Sequence, residues 1–168
     1  SYRGYDLIMS AGNVYLQIIN TWSSNAIARY TTSTFNDGNW HHVVGVYDGS
    51  GTNAGITIYV DGKKQAVENQ VAGPLTATIL NNHPVTIGSR YGVTYFNGLI
   101  DEVRILDRAL TAEEVAADYY SGLFKYSTNG GGTWNPTNAW STGTVTGLNG
   151  STGYETVSAS NVPFNQYS

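Results

Sequence analysis

The chain has 168 residues, a net charge of −4, no cysteine and only 12 % charged residues, well below the roughly 25 % of an ordinary soluble domain. Its eight Lys and Arg residues are spread along the sequence, so no basic face for phosphate is expected and nucleic acid is excluded as a partner. No apolar run approaches the roughly 20 residues of a membrane helix, so membrane insertion is not expected either.

Tyr, Thr, Asn, Gly and Ser fill the space that charges leave, in short β-branched and aromatic runs between Gly/Asn turns. That is the composition of an all-β chain. A domain of this size buries enough surface to stand without disulfides, so the absence of Cys is compatible with either redox compartment. The Lys-poor, Tyr/Asn/Thr-rich surface leans extracellular or cell-surface.

In chain order, Gly4–Ser10 is strand-like. Asn13–Ile19 follows the Ala11-Gly12 turn as a second strand, and Asn25–Thr31 is a third. Phe35–Gly49 reads as the organising stretch. Asn36-Asp37-Gly38 is a polar turn, Trp40 leads into seven strand residues, and Asp48-Gly49 closes them. Alternation puts Trp40, His42, Val44 and Val46 on one face and His41, Val43, Gly45 and Tyr47 on the other. Both faces are largely apolar, which predicts a central strand covered on both sides with Trp40 in the core. Gly55–Asp61 alternates cleanly and ends in Asp61-Gly62, a strong hairpin signal leading into Lys64–Asn69. Val85–Ser89 reads as a brief strand and Phe96–Leu106 as the last strong strand of this unit. Thr111-Ala-Glu-Glu114 is a capping box, which predicts a helix over Ala112–Tyr120 with Val115, Tyr119 and Tyr120 on one stripe and Gly122 as its stop. Residues 123–168 are Gly/Ser/Thr/Asn-rich and nearly free of charge, which marks a β appendage. Their start weakly resembles a truncated fibronectin-III-like module, at Tyr126-Ser-Thr-Asn-Gly-Gly and Val145-Thr-Gly-Leu-Asn.

Four motifs in order carry a more specific resemblance: Trp40-His-His-Val-Val-Gly-Val-Tyr-Asp-Gly49, Ile58-Tyr-Val-Asp-Gly62, Val85-Thr-Ile-Gly88 and Gly98-Leu-Ile-Asp-Glu-Val-Arg-Ile-Leu-Asp-Arg-Ala-Leu-Thr111. Over residues 1–122 the sequence resembles the laminin-G-like, concanavalin A-like jelly-roll family. The resemblance implies an antiparallel β-sandwich of two sheets with one short helix after the Asp-Glu-Val-Arg strand. It also implies an extracellular binding module for carbohydrate recognition, adhesion or spacing. Family domains carry further strands before the Tyr5-Asp6-Leu7 strand. Three arrangements would account for them: a fragment of a longer protein, replacement by residues 123–168, or strand addition from another copy.

The residues that might carry chemistry are few. His41 and His42 are neighbours in a predicted strand and point to opposite faces, so they cannot share one metal ion. The expected role is that of imidazoles bonded to backbone. Asp101 and Glu102 diverge for the same reason and do not form a catalytic pair, which needs two carboxyls about 5–10 Å apart. No enzymatic activity is expected. The resemblance implies that Asp101 can ligate a structural calcium ion, whose preference is for hard oxygen ligands. The plainer alternative is Asp101 bonded to backbone, with Arg104 or Arg108 paired to Glu102. Asp37, Asp48 and Asp61, each before a Gly, are expected to serve turns. Sugar faces are apolar and their edges carry hydroxyls, so a glycan site needs exposed aromatics with polar neighbours. Trp22, Arg90, Tyr91 and Tyr95 are the candidates, with Trp134 and Trp140 further along. Asn149-Gly-Ser151 is a glycosylation sequon. The expected function is non-catalytic recognition of a glycan or surface protein. The alternative is a structural subunit of a surface assembly that accepts strands from other copies.

Overall fold

A computed structural model describes residues 3–90 and 92–121, the side chains of Ala72 and Ser121 excepted. The chain divides into two units, 1–119 and 120–168. Of the second, only the last helical residues are described, so the predicted β appendage, Trp134, Trp140 and the Asn149 sequon lie outside the described residues.

β1 (Gly4–Ser10), β2 (Asn13–Thr21), β3 (Asn25–Thr31) and β7 (Val67–Ala72) form one antiparallel sheet in the order β1-β2-β3-β7. β4 (Val43–Tyr47), β5 (Ile56–Val60) and the short β6 (Lys63–Lys64) form a second, in the order β4-β5-β6. β8 (Ser89–Arg90) and β9 (Thr94–Tyr95) make a small hairpin, and α1 (Ala112–Ser121) follows.

The core lies between the two larger sheets. Val14, Leu16 and Ile18 alternate along β2, Ile27 faces inward from β3, and Ile56, Ile58 and Val60 alternate along β5. Met9, Phe35, Val43, Tyr47, Val67, Leu75 and Ile79 pack around them. This is the sandwich that alternation and the family resemblance both imply. Gly45 lets the sheets approach: a Cβ there would meet Leu16 and Leu7 at 3.1 Å.

The turns behave as their sequences demand. Asp61 and Gly62 both have positive φ, 53° and 72°, the mirror-image turn that matches strand twist in a tight hairpin. The capping box of α1 is complete: the Glu114 amide donates to Thr111 Oγ1 at 3.2 Å, and the Thr111 amide donates to Glu114 Oε2 at 2.9 Å. Glu114 is held down to about 2 by its bonds to Arg108 first and to the Thr111 amide second.

Several expectations need correction. Of the predicted Val85–Ser89 strand only Ser89 is in a strand, at the start of β8. β4 is an edge strand among the described residues, half-buried and paired only with β5, so it is not the central strand that its two apolar faces predict. Trp40 is 58 % exposed. The ladder begins only at Val43, which leaves Trp40 in the preceding turn and not on a strand face. Phe96–Leu106 forms no strand, because no described segment offers it a ladder. Leu99, Ile100, Val103, Ile105 and Leu106 are all exposed.

The tandem histidines do diverge, but their partners are carboxylates and not backbone. His41 lies between Asp61 Oδ2, 2.8 Å from Nδ1, and Asp37 Oδ1, 3.0 Å from Nε2. His42 Nε2 lies 3.2 Å from Asp118 Oδ2, and Asp118 also takes both Nη2 bonds from Arg104, at 2.6 and 2.7 Å. Arg108 pairs with Glu114, so neither arginine takes Glu102. Asp37 and Asp48 do accept turn amides, from Asn39 and Ser50, whereas the Asp61 carboxylate serves the His41 ring and the His42 amide.

Both His41 nitrogens can donate only as imidazolium. Burial works against the charge, but the bonds to Asp61 and Asp37 outweigh it and raise the pKa above 6.5. A raised histidine pKa gives stability that is full below the unfolded value and is lost as pH climbs through the folded one. The thermal midpoint of the native chain should therefore fall as pH rises above about 6.5, and that fall should be shallower in His41→Asn. Gly51 offers a second check. It has φ +73°, and a Cβ there would lie 2.7 Å from the Leu75 carbonyl oxygen. Gly51→Ala should cost about 1–3 kcal/mol in denaturant unfolding.

Candidate functional site

The outer face of the four-stranded sheet carries a groove enclosing about 350 Å³. Ile8 and Ser10 reach it from β1, Tyr15 and Gln17 from β2, and Gln70 from β7. Trp22, just past the end of β2, and Arg90 on β8 complete the lining.

Period-two alternation explains the set. Residues 15 and 17 of β2 point away from the core that 14, 16 and 18 fill. Tyr15 stands opposite Tyr30 of β3, and their rings stack at 5.1 Å with an interplanar angle of 19°. Gln17 stands opposite Ala28, whose small side chain leaves a passage across β3. Gln70 has no Cα partner on β3: Ala28 pairs with Val71 and Arg29 with Asn69. This bulge re-aims the Gln70 side chain toward the groove.

Polar contacts link the strands. Arg90 Nη2 lies 2.7 Å from Asp6 Oδ2 and donates to Gln17 Oε1 at 3.4 Å. Gln17 Nε2 donates to Gln70 Oε1 at 2.6 Å. Burial raises the Asp6 pKa, and the Arg90 guanidinium opposes that rise. Asp6 Oδ1 is buried without a hydrogen-bond partner. At the far edge the Tyr30 hydroxyl donates to Glu68 Oε2 at 2.6 Å, and that bond raises the phenol's pKa.

Of the residues singled out from sequence, Trp22 and Arg90 come together in this groove. Tyr91 lies outside the described residues. Tyr95 is exposed on β9, does not line the groove, and donates its hydroxyl to the Gly92 carbonyl at 2.5 Å. Asp101 is exposed, and its Oδ1 accepts the Glu102 amide at 2.8 Å. Among the described residues no three His, Asp or Glu side chains group as a metal site. Sequence reasoning missed Ile8, Ser10, Tyr15, Gln17 and Gln70. The first four were accessible through the outward half of each strand's alternation. The aim of Gln70 depends on a bulge that no residue pattern announces.

The geometry is that of a shallow cleft with aromatic surfaces and fixed amide and guanidinium groups on a β-sandwich face. The chain belongs to the concanavalin A-like lectin/glucanases superfamily, whose laminin-G-type family model matches residues 2–116. Among solved structures, residues 221–444 of an S-layer domain-containing protein from Clostridium thermocellum are similar to it at 25 % identity, with a TM-score of 0.34. That match covers 71 % of this chain and 58 % of the other, so the chain spans less than two thirds of that relative. No curated protein matches the chain.

Gln17 is only 3 % exposed and bridges two polar partners. Gln17→Leu keeps the volume but leaves the Gln70 oxygen and one Arg90 contact unanswered. It should cost about 1–3 kcal/mol in chemical denaturation.

Proposed function

We propose that this chain is a non-catalytic, extracellular glycan-binding module and that its ligand lies in the groove over β1, β2, β3 and β7. The observation that carries the reading is the meeting of Trp22 and Tyr15 with Gln17, Gln70 and Arg90 in one cleft. Aromatic rings suit the apolar faces of pyranoses, and amides and a guanidinium suit their hydroxyl edges.

The placement of acids supports a non-catalytic role. Asp6 and Glu68 are the carboxylates of this sheet's outer face among the described residues. They sit on the two outermost strands, three strand spacings or about 14 Å apart, beyond the reach of a paired attack on one glycosidic bond. Asp6 is moreover engaged by Arg90.

A second reading, a structural subunit that accepts strands from other copies, has its own support. Tyr5 and Leu7 lie at the β1 edge and are 51 % and 45 % exposed, while their partners Ile18 and Leu16 are buried. Residues 96–106 likewise lack a ladder. Both places would accept a further strand.

Trp22→Ala should abolish or lower by at least about tenfold the binding of the native chain to its glycans on an array, with the thermal midpoint unchanged. Array binding that survives this substitution would remove the groove from the reading. Silence on the array together with concentration-dependent assembly would favour the structural subunit.

A further inference from the structure

The polar floor of the groove has a direction. Arg90 carries donors and no acceptor, so where it meets Gln17 the glutamine must present its oxygen. The Gln17 amide nitrogen then faces the other way, toward Gln70, which must answer with Oε1. One lone pair of Gln70 Oε1 is thereby engaged and that oxygen is turned toward Gln17, so the NH₂ group is what Gln70 turns to whatever enters the groove. The fixed end of the relay is Asp6, whose Oδ2 holds the Arg90 guanidinium at 2.7 Å. Gln17 is buried and cannot turn over without breaking both of its bonds.

We infer that Gln70, oriented through Asp6, Arg90 and Gln17, is the specificity-determining residue of the groove and selects sugars bearing a neutral acyl carbonyl, the N-acetylated hexosamines. The inference rests on the glycan reading of the groove and names the ligand class for it. A sugar hydroxyl both gives and accepts, so a donor alone separates plain hexoses poorly. An acetamido carbonyl is a dedicated acceptor and complements the Gln70 NH₂. A free amino sugar brings a protonated amine, which sets donor against donor. A carboxylate would also accept, but the face offers it no surplus positive charge. Arg90 is answered by Asp6, and Glu68 adds a negative charge on the same sheet face. Trp22 and Tyr15 then contribute affinity common to many glycans, and Gln70 contributes the difference between them.

The test is calorimetric titration of the full chain with three β-1,4-linked tetrasaccharides: chitotetraose, cellotetraose and the fully de-N-acetylated chitosan tetramer. Chitotetraose should bind at least about tenfold more tightly than cellotetraose, with the amino tetramer weakest. Gln70→Leu should weaken chitotetraose by a much larger factor than cellotetraose, so that the two tetramers come to bind alike. Gln70→Glu should move the preference toward the amino tetramer. Asp6→Asn, which removes the charge that fixes Arg90, should narrow the chitotetraose-to-cellotetraose ratio. Equal affinity for the two neutral tetramers in the native chain, or a ratio untouched by Gln70→Leu, would overturn the assignment and leave the glycan reading standing. Binding to none of the three would overturn it as well, and the array with Trp22→Ala then decides the glycan reading separately.

Discussion

β2 is hydrogen-bonded along one side to β1 and along the other to β3. Its side chains therefore decide what each sheet face does. Val14, Leu16 and Ile18 go to the core, while Tyr15 and Gln17 go to the groove. A slip of one residue would exchange the two sets and ruin both. Asn13 and Val14 pin the register at one end. The Asn13 amide donates to the Thr31 carbonyl at 2.7 Å, and the Val14 backbone donates to Thr31 Oγ1 at 3.0 Å. The core and the groove thus share a single constraint, because the strand that closes the core also presents the floor of the cleft.

What could be read beforehand was whatever local chemistry decides. Asn25–Thr31 appears at its predicted bounds, Asp61-Gly62 turns as its dipeptide requires, and Thr111 caps the helix through Glu114. The residues that misled are those whose neighbours are remote in sequence. Trp40 looked like core, but the ladder starts after it. Phe96–Leu106 has the composition of a strand, yet a strand also needs a backbone partner, and composition cannot supply one. The groove was half legible. Trp22 and Arg90 stood out as an aromatic and a cation near strand ends. Tyr15 and Gln17 lie in a strand whose sequence does not say which of its two faces is covered. The meeting of Arg90 with Asp6 is a property of the fold, not of either segment.

The histidine pair shows how charge stands in for apolar cover beside an edge strand. His41 ties the turn at Asp37 to the turn at Asp61, and the Asp61 amide returns a bond to the His42 carbonyl at 2.9 Å. His42 then reaches Asp118 and lies against Tyr119 of α1, with ring centroids 5.8 Å apart. Tyr119 in turn covers Gly62, where a Cβ would lie 2.9 Å from its ring. One turn glycine, two imidazoles and three carboxylates thereby join β4, the β5–β6 turn and the helix. The His41 contacts respond to proton concentration in a way that a purely apolar junction does not, because, against burial, the carboxylates of Asp61 and Asp37 raise the pKa of His41.

The stretch from Leu99 to Leu106 has a consequence for how the chain survives in concentrated solution. Exposed apolar pairs without a ladder are the usual seeds of cross-β stacking. Here Leu99-Ile100 is followed at once by Asp101-Glu102, and Ile105-Leu106 is bracketed by Arg104 on one side and Asp107-Arg108 on the other. Identical segments stacked in register would place like charges directly above one another at a spacing of about 4.8 Å, which opposes a fibril. The same charges do not oppose pairing with a different strand of complementary pattern. The segment is therefore guarded against its own copies as parallel neighbours.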